Sequence, residues 1–223
     1  MGNETSDRLV VVSPHLDDAA LSCSELIAAH PGTVVVTVFA GAPATLTHWD
    51  RAECGFTDGD DVKAIRREED RNAMQLLGAT PDWLDLVPGA VIESAALAST
   101  ISEAVARHRP TKVAIPLGVH HADHIRIADA CRLAFDCEST TVLVYEDQPY
   151  RGRHEEEREE RLYIIREEGF KHTPVPVPRA VDKKRAAIHC YKSQVGAIDR
   201  CFDAFTRRLE RDGRDVVWRL QRA

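Results

Sequence analysis

Apolar positions follow two alternating rhythms over the first two thirds of the chain. Short β-branched runs at 8–13 (RLVVVS), 33–39 (TVVVTVF), 83–87 (WLDLV), 112–116 (KVAIP) and 141–145 (TVLVY) predict strands. Between them, 18–30, 61–77, 92–108 and 123–135 repeat apolar residues at helical spacing, and Gly78 is a stop signal for the second of these helices. Strand and helix in repeated alternation imply right-handed crossovers and a largely parallel sheet covered on both faces. The expected fold is an α/β Rossmann-like sandwich with a largely parallel central sheet.

The rhythm changes after Tyr150. Residues 151–161 (RGRHEEEREER) are almost wholly charged and predict a solvated helix or loop. Residues 172–178 (HTPVPVP) predict an extended, proline-punctuated connector. Two helices are expected at 181–195 and 197–212, and a short strand at 216–220. We therefore expect a single domain over residues 1–223, with a core at about 8–150 and an elaborated C-terminal α/β part at about 151–223.

Composition acts mainly by exclusion. With 223 residues, 43% hydrophobic and 29% charged, the chain has the makeup of a globular protein. A formal net charge of -7 argues against nucleic acid as a partner. No apolar run approaches the roughly 20 residues that span a bilayer, so no membrane span is expected. The polar, acidic start at 1–8 is not a signal peptide, which makes cytoplasmic residence the expectation. Six cysteines without a Cys-x-x-Cys pair read as free thiols rather than disulfides or a zinc cluster. Oligomeric state stays open, and a homo-oligomer is compatible with everything above.

Two polar clusters carry the candidate chemistry. His15-Leu16-Asp17-Asp18 follows the first strand, where one Asp would suffice as a helix cap. The surplus of acid suggests a cation. His120-His121-Ala122-Asp123-His124 follows the fourth strand, after Pro116-Leu117-Gly118. Open parallel sheets bind ligands outside the carboxyl ends of their strands, near the point where strand order reverses. The clusters therefore share one sheet edge, and they face each other if the two strands are neighbours.

Imidazole nitrogen combined with carboxylate oxygen is the ligand set of a catalytic zinc site. His15 and Asp18 can converge on one point, leaving Asp17 free to act on a water. His121 and His124 can share a face without both binding the metal. The chemistry suggested is zinc-assisted hydrolysis, with Asp17 as base and a histidine as acid. Against it stand two plainer readings: Asp17 or Asp18 as a helix cap, and the second cluster as a polar surface loop. Two such clusters, each directly after a predicted strand, favour the metal site. No Gly-x-Gly-x-x-Gly follows the first strand, which weighs against a dinucleotide cofactor.

These residues resemble the PIG-L/LmbE-like family of zinc-dependent N-deacetylases. The family's first-strand motif appears as Pro14-His15-Leu16-Asp17-Asp18 and its later His-x-Asp-His as His121-Ala122-Asp123-His124. Arg66, Glu69, Ala73, Leu77 and Gly78 match a family helix, and Lys184, Ala187, Tyr191, Ser193 and Gln194 match its C-terminal segment. The run from Tyr145 to Tyr150 (YEDQPY) is similar to a loop of some members, and the likeness spans about residues 8–195.

The resemblance implies that His15, Asp18 and His124 bind Zn²⁺, with Asp17 as general base and His121 as general acid or oxyanion stabiliser. It implies that Asp123 orients His121 and holds its charged form. The implied substrate is a small molecule, an N-acetylated amino sugar of the N-acetylglucosamine type or a conjugate of one. A His₂Asp set also accepts Fe²⁺.

Several positions depart from the family pattern. Val119 stands where some members carry a tyrosine that assists the oxyanion, and Ala122 replaces a proline. Leu16 and Ala19 replace the commoner Pro and Glu, which with the modest chain length points to specialised metabolism. The extra His120 reads as surface or pocket wall. Arg66 is either a substrate contact or one half of a salt bridge with Glu69. Tyr191 and Gln194 lie near the pocket by analogy. The long loop at 41–61 is expected to cover the pocket and to hold a sugar against Trp49. Two further readings remain: a zinc amidase for a thiol conjugate or another N-acyl substrate, and a non-catalytic metal- or sugar-binding module. The free carboxylate of Asp17 speaks against the latter.

Overall fold

A computed structural model describes residues 7–223, the side chains of 210–212 excepted. The elements run β1 (Leu9–Ser13), α1 (Asp18–Ala29), β2 (Val34–Thr37), α2 (Val62–Leu77), β3 (Thr80–Trp83), α3 (Ser94–Ala106), β4 (Lys112–Pro116) and α4 (Ala122–Ala134). They continue with β5 (Thr141–Tyr145), α5 (Glu155–Glu167), β6 (Phe170–Pro174), α6 (Val181–Ile188), α7 (Lys192–Cys201), α8 (Phe205–Asp212) and β7 (Val217–Arg222). A single π-helical turn, Trp49–Glu53, interrupts the loop before α2.

One seven-stranded sheet has the order β3-β2-β1-β4-β5-β7-β6. The strands from β3 to β5 pair in parallel, whereas β7 runs antiparallel to both β5 and β6. β1 is buried along its whole length because both faces are covered. Val10 and Val12 enter one apolar cluster with Ile101 of α3 and Ile127 of α4, while Leu9 and Val11 enter another with Ala20 of α1 and Met74 of α2. That is why its sequence reads as an unbroken apolar run rather than an alternation. Truncating a wholly buried residue such as Ile101 to Ala would cost about 2–5 kcal/mol.

The α/β sandwich expected from the pattern is present, with three differences in detail. The third strand lies at Thr80–Trp83 instead of 83–87, starting directly after the left-handed Gly78 that ends α2. Pro81 argues against a central strand, but β3 is an edge strand, where the missing N–H is tolerated. Residues 84–86 then hydrogen-bond to the backbone of Thr37, Ala40 and Gly41 outside the regular ladder. The segment beginning at His172 is not a free connector: Phe170–Pro174 forms the other edge strand, paired to β7. Its prolines fall where the ladder ends. In place of two C-terminal helices there are three, broken at Tyr191, whose buried hydroxyl is tied to Asp70, and at Asp203 and Ala204, both in the left-handed region.

The sheet order places the site. From β1 the chain moves outward to β2 and β3, then crosses back to β4 on the other side of β1. Strand order therefore reverses between β1 and β4, and the turns leaving those two strands flank the crevice.

Candidate metal centre and active site

Neither Asp17 nor Asp18 is used as a conventional cap. The Ser13 hydroxyl accepts the N–H of Ala19 at 3.1 Å and donates to the carbonyl of His15 at 2.7 Å. Asp17 occupies the N-cap position of α1 without a side-chain capping bond. Asp18 accepts the N–H of His15 at 2.8 Å, which folds the turn so that both side chains point into the crevice.

His15 Nδ1 lies 3.1 Å from Asp18 Oδ2, and His124 Nε2 lies 3.2 Å from the same oxygen. One donor atom from each residue falls within 4.8 Å of the other two. Two ligands of a tetrahedral zinc ion, each about 2.1 Å from it, stand about 3.4 Å apart, so the three donors fit a small divalent cation. Their backing fits as well. His15 Nε2 meets Asp123 Oδ2 at 3.0 Å, and His124 Nδ1 meets Asp147 Oδ1 at 2.7 Å. A carboxylate behind each imidazole fixes its tautomer and orientation, the usual support of a metal-ligating histidine.

The electrostatics favour positive charge at this point. Burial opposes ionisation of Asp18, but His124 and His15 hold its carboxyl far below the usual range. Burial likewise works against charge on His124, yet Asp18 and Asp147 raise its pKa to about 10. Asp17 behaves in the opposite sense. Its enclosure and the neighbouring Asp18 charge push it up to about 6. It lines the cavity, and among the described residues no other side chain donates a hydrogen bond to it.

His121 accepts the N–H of Asp123 at Nδ1, 3.2 Å away, which leaves Nε2 to carry the proton of the neutral ring. Partial enclosure and the charges of His15 and His124 lower its pKa to about 4. The expectation that Asp123 orients His121 and holds it charged is therefore corrected. The Asp123 carboxylate is committed to His15, to the N–H of Gly89 at 3.0 Å and to Arg126. Its hydrogen bond to His121 comes from the backbone, and its charge raises the His121 pKa by less than burial and the two other imidazoles lower it.

The donors sit at one side of a cavity of about 520 Å³. Loop 41–61 forms one wall with Pro43, Leu46 and Trp49, and Ile198 and Phe202 of the C-terminal helices extend it. Trp49, Arg66, Tyr191 and Gln194 all reach this cavity, but their polar atoms are largely engaged. Gln194 Oε1 accepts from Trp49 Nε1 at 3.1 Å and from Arg66 at 3.3 Å. Arg66 pairs with Asp50 at 2.8 Å rather than with Glu69, which accepts from the backbone and hydroxyl of Ser193. The Tyr191 hydroxyl is 2.7 Å from Asp70. These side chains clamp the loop to the C-terminal helices and offer the cavity mainly their faces.

Sequence reasoning missed Asp147 and Tyr150. Asp147 also accepts the N–H of Gly118 at 2.8 Å, and Tyr150 packs edge-on to His124 with ring centroids 5.4 Å apart. The signal for Asp147 was positional: an acidic pair, Glu146-Asp147, leaves β5 at the same sheet edge as the other two clusters.

Comparison with known proteins bears on the family and the fold. The family model described as PIG-L: GlcNAc-PI de-N-acetylase matches residues 10–135. The chain is 28% identical to a 2'-N-acetylparomamine deacetylase of Streptomyces fradiae over 221 residues, covering 87% of this chain and 75% of that protein. The fold is similar to that of the zinc-inhibited form of the teicoplanin deacetylase Orf2, with a TM-score of 0.76, 21% identity, and coverage of 97% of this chain and 98% of that one. It is also similar to that of a 4-carboxy-2-hydroxymuconate hydratase from Pseudomonas putida, with a TM-score of 0.62, 20% identity, and coverage of 96% and 93%. Neighbours of such different chemistry show that the site, not the fold, must decide the function.

Proposed function

Because the chain belongs to the PIG-L family of de-N-acetylases, we propose that it is a metal-dependent hydrolase that removes the acetyl group from an N-acetylated amino sugar or a conjugate of one. Zinc is the proposed ion, with Fe²⁺ compatible with the same donors, and specialised metabolism the proposed setting. One observation carries this reading: His15, Asp18 and His124 face a common point beside an uncommitted, half-buried Asp17. A site that only bound metal would not need that second acid.

Each residue has a role in the proposal. His15 Nδ1, Asp18 Oδ2 and His124 Nε2 hold the ion, and Asp123 and Asp147 hold the two imidazoles. When bound, a divalent ion supplies the Lewis acidity that lets a water lose its proton near neutral pH. Asp17 takes that proton, its basicity matched to the task by enclosure. The water oxygen adds to the acetamide carbonyl carbon, and the negative charge moves to the carbonyl oxygen. The Nε2–H of neutral His121 donates a hydrogen bond there. The C–N bond breaks as the proton held by Asp17 passes to the nitrogen, so that acetate and the free amine leave. Trp49 and the apolar wall offer the faces against which a sugar ring or its aglycone packs.

No helix among the described residues is long and apolar enough to cross a membrane. Six unpaired cysteines suit a reducing compartment, and we place the enzyme in the cytoplasm. The test is acetate release from a panel of N-acetylated amino sugars and their glycosides by the metal-loaded protein. The reading expects at least one substrate to yield acetate and free amine in equal amounts. If other N-acyl compounds turn over while every acetamide is inert, the amidase reading takes its place.

A further inference from the structure

The extra histidine of the second cluster is absorbed neither by the proposed reaction nor by the core. His120 lies in the left-handed region at φ +65°, an uncommon conformation for a residue with a side chain, and this turns it outward at the rim of the cavity. There it stacks on His154 from the start of α5, with ring centroids 3.7 Å apart and planes 28° apart. Both rings aim Nδ1 at one oxygen: Glu157 Oε1 is 3.1 Å from His120 and 2.9 Å from His154. Two imidazole nitrogens and a carboxylate oxygen thus lie within 4.8 Å of one another. The spacings match those of the first donor set, although the residues come from different elements.

We propose that His120, His154 and Glu157 form a second site for a divalent transition-metal ion. Two nitrogen donors select zinc, cobalt, nickel or copper over magnesium and calcium, which prefer all-oxygen sites. Local charge supports the assignment. The first turn of α5 carries Glu155, Glu156 and Glu157, and the neighbouring Arg158 pairs with Glu146 at 2.7 Å, with Glu159 and with Glu155 at 3.6 Å, leaving Glu157 to the two imidazoles. The affinity is lower than that of the first site for two reasons. His120 and Glu157 are exposed, at 47% and 43% of their side-chain surface. Among the described residues, neither imidazole has a carboxylate behind its Nε2, a support worth about 10–100-fold in affinity.

The location gives the second ion a consequence. It ties the turn before α4 to the start of α5, and Tyr150 touches both sites, 5.3 Å from the ring of His120 and 5.4 Å from that of His124. Both His120 and Tyr150 line the cavity. An ion held there rigidifies the rim, so metal in excess of one equivalent raises KM several-fold. Binding itself does not depend on the hydrolase reading; the effect on turnover does.

Calorimetric titration of the metal-free full chain with zinc, repeated with cobalt, tests the proposal. The wild type is expected to take two equivalents, the second at least about tenfold weaker, in line with the missing carboxylate support. His154→Ala and Glu157→Gln should each take one, and His124→Ala should keep the weaker one. The His154 side chain makes no capping bond and Glu157 is exposed, so both variants are expected to fold and to keep their activity at one equivalent of zinc. Uptake of a single equivalent by the wild type, or survival of the second in both variants, overturns the site. An equal rise in KM for wild type and Glu157→Gln with excess zinc overturns its effect on the reaction.

Discussion

Asp17 and Asp18 are adjacent in sequence and opposite in proton affinity, and the difference is entirely one of position. Asp18 faces two imidazoles and is held ionised, whereas Asp17 lacks such a partner, and burial followed by the charge of Asp18 pushes it up to about 6. Asp17→Asn should lower kcat by about 10²–10⁴ while metal stoichiometry by calorimetry stays at the wild-type value. A variant that loses its metal would place Asp17 among the ligands instead. Asp147 makes the complementary case. It stands behind His124, a residue that lines the cavity, and fixes that ring through Nδ1. Asp147→Asn should weaken zinc binding about 10–100-fold, with activity restored when zinc is raised. Unchanged affinity would remove Asp147 from the metal support. Spacing pointed to His15, Asp18 and one histidine of the second cluster, and the family resemblance singled out His124, but neither could show what stands behind the two imidazoles. Asp123 lies two positions from its supposed partner His121, yet its carboxylate serves His15, which lies 108 positions away.

At the scale of elements, the turn between β4 and α4 is a tight constraint. Gly118 has φ +82°, and a Cβ there would meet the Cβ of Ala128 at 2.6 Å. Its N–H also holds Asp147. Gly118→Ala should destabilise the protein by about 1–3 kcal/mol, or about 2–4 °C in Tm for each kcal/mol, and weaken zinc binding with it. A fully stable variant with native affinity would contradict this role. α2 provides a pH-dependent contact. Asp70 is buried under Trp83 and the Tyr191 hydroxyl, and burial raises its pKa to about 7, against the stabilising effect of those two donors. Its folded pKa lies above its unfolded one, so its contribution is complete below about pH 4 and is lost as pH rises through about 7. The slope from this group is at most about 1.4 kcal/mol per pH unit. Denaturant melts across that range should show a shallower decline for Asp70→Asn than for the wild type.

The same scale explains which elements were legible. α2 was delimited within a residue because Asp61 accepts the N–H of Ala64 and Gly78 closes the helix in the left-handed region. β1, β4 and β5 announced themselves as apolar runs because helices or loops cover both faces. The two edge strands did not. Thr80–Trp83 and Phe170–Pro174 contain prolines and exposed polar residues, features that only the edge of a sheet tolerates. Their place follows from pairing with β2 and β7, which is information held by distant parts of the chain.

Over the whole molecule, function depends on a crossover. The chain leaves β1 for β2 and β3 and returns to β4, and this reversal brings residues 15–18 and 121–124 to one crevice. The wall that makes the crevice a cavity comes from further away still: loop 41–61 on one side and helices after residue 190 on the other, joined through Gln194. Individual residues on that wall were foreseen, but not that Trp49 and Arg66 both bond to Gln194. Hydrogen bonding between separate segments leaves no local pattern to read.

The central claim is that two strand-end clusters close on one cation beside an uncoordinated acid. Anomalous diffraction at the zinc edge, from crystals of the protein loaded with one equivalent, measures it most directly. The account predicts a single strong peak bonded to His15, Asp18 and His124, with the carboxylate of Asp17 outside bonding distance. A peak bonded through Asp17, or one lying away from His15 and His124, would contradict it.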